Sequence, residues 1–270
     1  MGKTPPVVLT IAGFDPSCGA GITADVKTIA ANGCYAIACI TGMTVQSTKG
    51  VRRVQPVPPE FLAESLEELA LDMKISAIHI GMLGSAEVAE VVADFLSAHA
   101  ATNVVLDPVL KATSGLELLD KGGLAILVEK IMPVATVITP NLQEASVISG
   151  LPVNDQAEMK TAARKLHGMG SRTVVITGGH LERPVDLLSQ PGKSGVEQQF
   201  FEAEPVHSSS THGTGCALSA ALACHLARGR SLAEGVPRAQ AYVRAAIAEA
   251  YPIGRGIGPI NHLYRMPKEE

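Results

Sequence analysis

The sequence predicts an α/β fold, a three-layer sandwich with a mostly parallel central sheet and helices on both faces. Three observations carry that expectation. Short continuous Val/Ile/Leu runs alternate with longer amphipathic stretches, the pattern of βαβ units whose strands are covered on both sides. Of the 270 residues, 46% are hydrophobic and 18% charged, so the chain can bury a large core. Glycine is abundant at 26, whereas Trp is absent and only five Phe and four Tyr occur, so the core must be aliphatic and the glycines need a separate explanation.

In chain order, β-type runs fall at 7–11, 36–40, 77–80, 104–106, 134–138 and 173–177. Helical periodicity falls between them at 22–32, 60–73, 86–98, 125–132, 142–149 and 156–167. The stretch 185–206 reads as two further strands around the turn-rich Gln190-Pro191-Gly192-Lys193-Ser194-Gly195. Two late helices follow at 215–228 and 231–250, with Gly229 at a C-cap position and Ser231 placed to cap the second. With no low-complexity linker, charge block or internal repeat, residues 1–270 read as one domain.

Composition excludes several classes. The formal charge is −4 with Lys and Arg scattered, and the few aromatics offer no base-stacking platform, so nucleic acid is not an expected partner. No apolar run approaches the roughly 18 residues of a membrane span, and the first residues lack the pattern of a signal peptide. Five dispersed cysteines without a CxxC argue against a disulfide framework or structural zinc and for a reducing cytoplasm.

Three turns could carry chemistry. Gly13-Phe14-Asp15-Pro16-Ser17-Cys18-Gly19-Ala20-Gly21 follows the first strand, where open α/β sheets bind ligands. Its tail formally matches a dinucleotide fingerprint, but no acidic ribose partner ends the second strand, and a ligand-free glycine connection stays open. Thr211-His212-Gly213-Thr214-Gly215-Cys216 opens an apolar helix, and converging amides at a helix start suit an anion. The same field would lower the Cys216 pKa and make it a base or nucleophile, whereas the bland reading is a tight helix entry with a packed cysteine. Thr139-Pro140-Asn141-Leu142-Gln143-Glu144 follows a strand, and a capping box alone would explain Asn141 and Glu144. Beside a metal-bound phosphate, Asn141 and Glu144 would have a second role. Asp107-Pro108 likewise ends a strand, as a Mg²⁺ ligand or a simple turn. His180 and His212 lack metal-ligand spacing and read as polar turn residues.

Taken together and in order, the motifs resemble the ribokinase-like superfamily, and within it the hydroxymethylpyrimidine/phosphomethylpyrimidine kinases of thiamine biosynthesis. The likeness rests on AGFDPSCGAGI at 12–22, Gln46, IGML at 80–83, LDPV at 106–109, TPNLQEA at 139–145, GGH at 178–180 and HGTGCALSAALA at 212–223. The resemblance implies a homodimeric, cytoplasmic, ATP- and Mg²⁺-dependent kinase of a small pyrimidine, 4-amino-5-hydroxymethyl-2-methylpyrimidine, and of its monophosphate. It implies that Gly13, Asp25, Gln46, Met82 and Val109 line the pyrimidine pocket and that Asp107 and Glu144 serve the metal. It places Asn141, Thr177, Gly179 and Thr211 at the nucleotide. Gly213, Thr214 and Gly215 would form the anion hole, with Cys216 as general base.

Two departures stand out. Thr177 occupies a position where many members carry a basic residue before GGH, and Thr113 precedes Ser114-Gly115 where many have Lys nearby. A phosphate-contacting cation is therefore missing or supplied by Lys111 or Arg255. The alternatives are a pyridoxal kinase, a non-catalytic pyrimidine-binding relative, or an NAD-dependent oxidoreductase built on the fingerprint.

Overall fold

A computed structural model describes residues 4–179, 181–193 and 195–266. Its strands are β1 (Val7–Phe14), β2 (Tyr35–Ser47), β3 (Gly50–Pro56), β4 (Ile75–Ile80), β5 (Val104–Leu106), β6 (Val137–Ile138), β7 (Val174–Gly178), β8 (Val185–Gly192) and β9 (Gly195–Glu202). Helices are α1 (Gly21–Ala31), α2 (Pro59–Asp72), α3 (Ala86–Ala98), α4 (Lys121–Ile126), α5 (Leu142–Ser149), α6 (Gln156–Gly168), α7 (Thr214–Ala227) and α8 (Leu232–Ala248). Among the described residues the strands form one sheet in the order β3-β2-β1-β4-β5-β6-β7-β8-β9. Every pair from β2 to β7 is parallel, and antiparallel strands close both ends.

Period-2 alternation builds two cores from single strands. Leu9, Ile11, Ile78, Ile80, Leu106, Ile138, Val174 and Ile176 face one cluster, which α2, α3, α5 and α6 cover. Val8, Ala77, Val105, Val137 and Val175 face the other, which is closed by α1, α7 and α8. In α7 every residue from Ala217 to Leu226 is buried, as expected of a helix that is apolar all round. The expected three-layer architecture is present, and no described helix is long and apolar enough to cross a membrane.

Helices α3 and α5 have the expected bounds, the C-cap residue Gly229 has φ +74°, and Ser231 forms a capping box with Glu234. The strand expected at 36–40 runs on to Ser47, and three further details differ. The hairpin strand β3 escaped the pattern because Val51 and Val54 flank Arg52-Arg53 on a half-exposed edge. The run at 134–138 becomes strand only at Val137, since the chain still turns at Val134 and Ala135, whose amides bond Ile131. The helix expected at 125–132 starts at Lys121, capped by Asp120, and loosens into a π-turn over Leu127–Ile131.

The parallel strands β1, β4, β5, β6 and β7 all end on the same sheet edge. The segments carrying Asp15, Met82, Asp107, Asn141 and Gly179 therefore emerge side by side, where α/β sheets bind ligands.

Candidate active site

The rim of the site is two interlocked glycine loops. In the first, the buried Asp15 carboxylate accepts from the Ser17 amide (2.8 Å), the Ser17 hydroxyl (2.7 Å) and the Ala20 amide (3.0 Å). Its Oδ2 lies 2.9 Å from His212 Nε2 of the second loop. Burial works against the Asp15 charge, but His212, Ser17 and the two amides together hold its pKa below the ordinary range. Gly213 has φ +86°, and a Cβ there would fall 2.0 Å from the Gly19 carbonyl oxygen. Only glycine permits this approach. The Ala20 amide within the fingerprint is thus taken by the protein's own carboxylate, which repels a pyrophosphate and removes the reading as a nicotinamide-dependent oxidoreductase.

Below the rim, Thr214, Gly215 and Cys216 form the first turn of α7, which has no side-chain cap. A Cβ built on Gly215 would meet nothing within 4 Å, so this turn opens onto free space. Cys216 lies near the Gly21 amide and the Asp107 carboxyl, both of which act on its titration. The expectation of a depressed thiol pKa is overturned. Desolvation first, then the charges of Asp107 and Asp25, push Cys216 well above its ordinary value, against a smaller pull from Gly21. The α7 dipole loses to three nearby carboxylates, because Glu144 adds to the same effect.

The floor is a fully buried polar chain. Thr10 on β1 donates to Asp25 Oδ2 (2.8 Å), and His79 Nδ1 on β4 lies 3.3 Å from the same oxygen. His79 Nε2 lies 2.9 Å from Ser219 Oγ on α7, and Ser219 is 3.3 Å from Asp107 Oδ2. Asp25 Oδ1 has no partner among the described residues. Burial lifts the Asp107 pKa to about 6, with the Asp25 charge adding and His79 opposing.

Of the other expected residues, Met82 packs against Gly13, where a Cβ would strike its Cε at 2.2 Å. Gln46 accepts from Thr44 (3.1 Å) and its amide nitrogen lies 3.2 Å from His212 Nε2, so His212 joins Gln46 to Asp15. Val109, half-buried, closes a tight turn with its amide 2.8 Å from the Asp107 carbonyl. Asn141 and Glu144 form the capping box, and Asn141 bridges to Thr177 on β7. Gly179 and Thr211 are exposed and stand apart from the buried cluster, while His180 lies outside the described residues. Lys111 is an exposed partner of Glu117, at 3.7 Å.

Asp107 and Glu144 also decide whether a magnesium ion suits the site. Glu144 is pushed up to about 8, by burial and then by the Asp107 charge. No three metal-ligating side chains cluster among the described residues. Mg²⁺ needs only one or two carboxylates, its shell being completed by phosphate oxygens and water. Two buried hard-oxygen donors whose charges disfavour each other fit that requirement.

Sequence reasoning missed Thr10, His79 and Ser219, which are single polar residues inside otherwise apolar elements. His212 was read as a polar turn residue, and the structure makes it the tie between the two loops.

A mostly parallel sheet with interlocked glycine turns and buried acids at its carboxyl edge defines a ribokinase-like phosphotransferase. The fold superposes on the pyridoxal kinase from Staphylococcus aureus in complex with AMP-PCP and pyridoxal with a TM-score of 0.86. That similarity has 32% identity and covers 97% of this chain and 95% of that one. The chain belongs to the phosphomethylpyrimidine kinase family, whose model matches residues 15–261. It is 42% identical over 262 residues to the hydroxymethylpyrimidine/phosphomethylpyrimidine kinase of Salmonella typhimurium, covering 95% of this chain and 97% of that protein. A thiamine biosynthesis bifunctional protein of Geobacter sulfurreducens is 41% identical over 258 residues. The match takes in 95% of this chain but 52% of that protein, so the chain spans about half its length.

Proposed function

We propose that this chain transfers the γ-phosphoryl group of ATP to the hydroxymethyl oxygen of 4-amino-5-hydroxymethyl-2-methylpyrimidine, and then phosphorylates the resulting monophosphate, in thiamine biosynthesis. The observation that carries the reading is Cys216, set at the open entry of α7 close enough to Asp107 for each to shift the other's titration. Because the resting thiol is neutral, Cys216 acts with Asp107 rather than alone. As the substrate oxygen bonds to phosphorus and the bond to ADP breaks, the hydroxyl proton passes to the Cys216 sulfur. The thiol's own proton passes to Asp107, whose raised pKa of about 6 suits a proton acceptor near neutrality.

The amides of Gly213, Thr214 and Gly215 face the charge spread over the transferring group, and they need no reorganisation to do so. Mg²⁺, when bound, neutralises phosphate charge. Glu144 and Asn141, with Asp107 beside them, would hold it directly or through water, and Thr177, Gly179 and Thr211 flank the nucleotide. Gln46, Met82, Gly13 and Val109 would bound the pyrimidine, with Asp25 contributing through Oδ1. The five free cysteines support a reducing cytoplasm, the exposed apolar side chains of Ile40, Met43 and Val45 on β2 support a dimer face, and residues 1–270 act as one domain.

Pyridoxal phosphorylation is the second reading, supported by the similarity to a pyridoxal kinase over nearly the whole chain. Pyridoxal also presents a hydroxymethyl group on a nitrogen heterocycle. Product analysis with hydroxymethylpyrimidine, its monophosphate and pyridoxal side by side tests both. The expected result is doubly phosphorylated pyrimidine as the main product. Exclusive pyridoxal phosphate would favour the second reading, and no phosphorylated product would leave a binding protein only.

A further inference from the structure

The polar chain under Cys216 raises a question of protons. Ser219 Oγ has four neighbours: His79 Nε2 at 2.9 Å, Asp107 Oδ2 at 3.3 Å, and the carbonyl oxygens of Gly215 and Cys216 at 3.0 Å each. The two carbonyls can only accept, as does Asp107 while it is ionised, and the hydroxyl has one proton to give. With Asp107 ionised, the contacts are satisfied when His79 Nε2 donates to Ser219. At the other end of the ring, Nδ1 faces Asp25 Oδ2 at 3.3 Å and Thr10 Oγ1 at 3.2 Å. The Thr10 proton already points to Asp25, so Nδ1 also meets only lone pairs. Both ring nitrogens are donors, and a ring with two N–H groups is an imidazolium.

We infer that His79 is a permanent buried cation and a positioning residue, which ties Asp25 directly and Asp107 through Ser219 so that Asp107 stays aligned on Cys216. Every side of the ring agrees with a positive charge. Asp25 approaches from α1 and Asp107 from the turn after β5, while Thr10 on β1 and Ser219 on α7 are neutral. Cys216, on α7, is a neutral thiol. Burial by itself disfavours the charge, but Asp25 above all, with help from Asp107, turns the balance toward a raised pKa. A cation here also offsets the negative charge that Asp25 and Asp107 bring near the partly buried Cys216 thiol.

The kinetic half of this inference rests on the phosphotransfer reading, whereas the protonation of His79 does not. Long-range ¹⁵N–¹H spectra of the unmodified protein, labelled at histidine, test protonation without any substrate. The expected signature is two protonated ring nitrogens for His79 from pH 6 to 8, and a neutral ring at pH 7 overturns the inference. His79→Gln should lower kcat by about 10- to 100-fold, as loss of a supporting partner does, with KM for the pyrimidine within about threefold. His79→Lys, which restores a cation, should recover more of kcat than His79→Gln. Equal losses in the two variants, or an unchanged kcat in His79→Gln, would sink the role. If the unmodified protein shows the imidazolium but phosphorylates nothing, the phosphotransfer reading fails and the buried cation stands.

Discussion

Two helices start on the same edge of the sheet, both after glycine-rich turns, and they treat their free amides differently. At α1 the turn leading into the helix already holds an anion of its own, with the Ser17 and Ala20 amides on the Asp15 carboxylate. At α7 no side chain caps the first turn and open space lies over Gly215. A helix start is an anion site only if the protein has not supplied an anion of its own. On the proposed reading, α1 braces and α7 is the end left open to receive.

The strongest way to break that contrast is to remove the sulfur at the receiving end. Cys216→Ala should lower kcat by about 10²- to 10⁴-fold, the range for a lost general base, and leave the pyrimidine Kd, measured by calorimetry, nearly unchanged. Full turnover would show that α7 positions the substrate without handling its proton.

The next test compares two glycines two residues apart. Gly213→Ala must place a Cβ at φ +86° and 2.0 Å from the Gly19 oxygen, so urea unfolding should show a loss of at least about 2 kcal/mol. Gly215→Ala meets no atom within 4 Å and should hold stability within about 0.5 kcal/mol. Its methyl would nevertheless occupy the receiving space and slow turnover about tenfold. Similar behaviour in the two variants would erase the distinction between bracing and receiving.

The smallest expected effect lies at the brace itself. Asp15→Asn should cost about 1–3 kcal/mol at pH 7, the range for hydrogen bonds to a charged group. Because the folded pKa of Asp15 is below its ordinary 3.8, its stabilisation is complete above that pH and fades as pH falls through the lower folded value. The stability gap between the two proteins should therefore be flat from pH 8 to 5 and close below about pH 4. A gap that persists unchanged to pH 3 would mean that shape, not charge, holds the loop.

Legibility followed the range of each pattern. Glycine turns, the Asn141–Glu144 box and the Gly229 cap are local arrangements of a few residues, and they could be read directly. The parallel strands β1, β4, β5, β6 and β7 were also readable, because burial on both faces leaves them continuously aliphatic, whereas the outer part of β2 alternates with exposed positions. The edge strand β3 was not, since Arg52-Arg53 interrupts the alternation that an exposed edge tolerates. His79 and Ser219 are 140 positions apart and meet only when α7 packs over β4, so no window of sequence joins them. The Cys216 pKa failed for a related reason. The helix start is local, whereas the carboxylates that outweigh it come from α1, the turn after β5, and α5.

The segment around Arg255 ties distant parts of the chain together. Gly254, Arg255 and Gly256 wrap the tip of the β2–β3 hairpin, where the amides of Arg255 and Gly256 reach back 207 and 208 positions to Thr48 Oγ1. Pro259 pairs with His212, and His262 reaches back 234 positions to Thr28. During synthesis, the contacts to Thr48, His212 and Thr28 must wait for this segment to leave the ribosome. A stalled nascent chain lacking residues 253–262 would carry both halves of the catalytic edge and still have no latch to hold them.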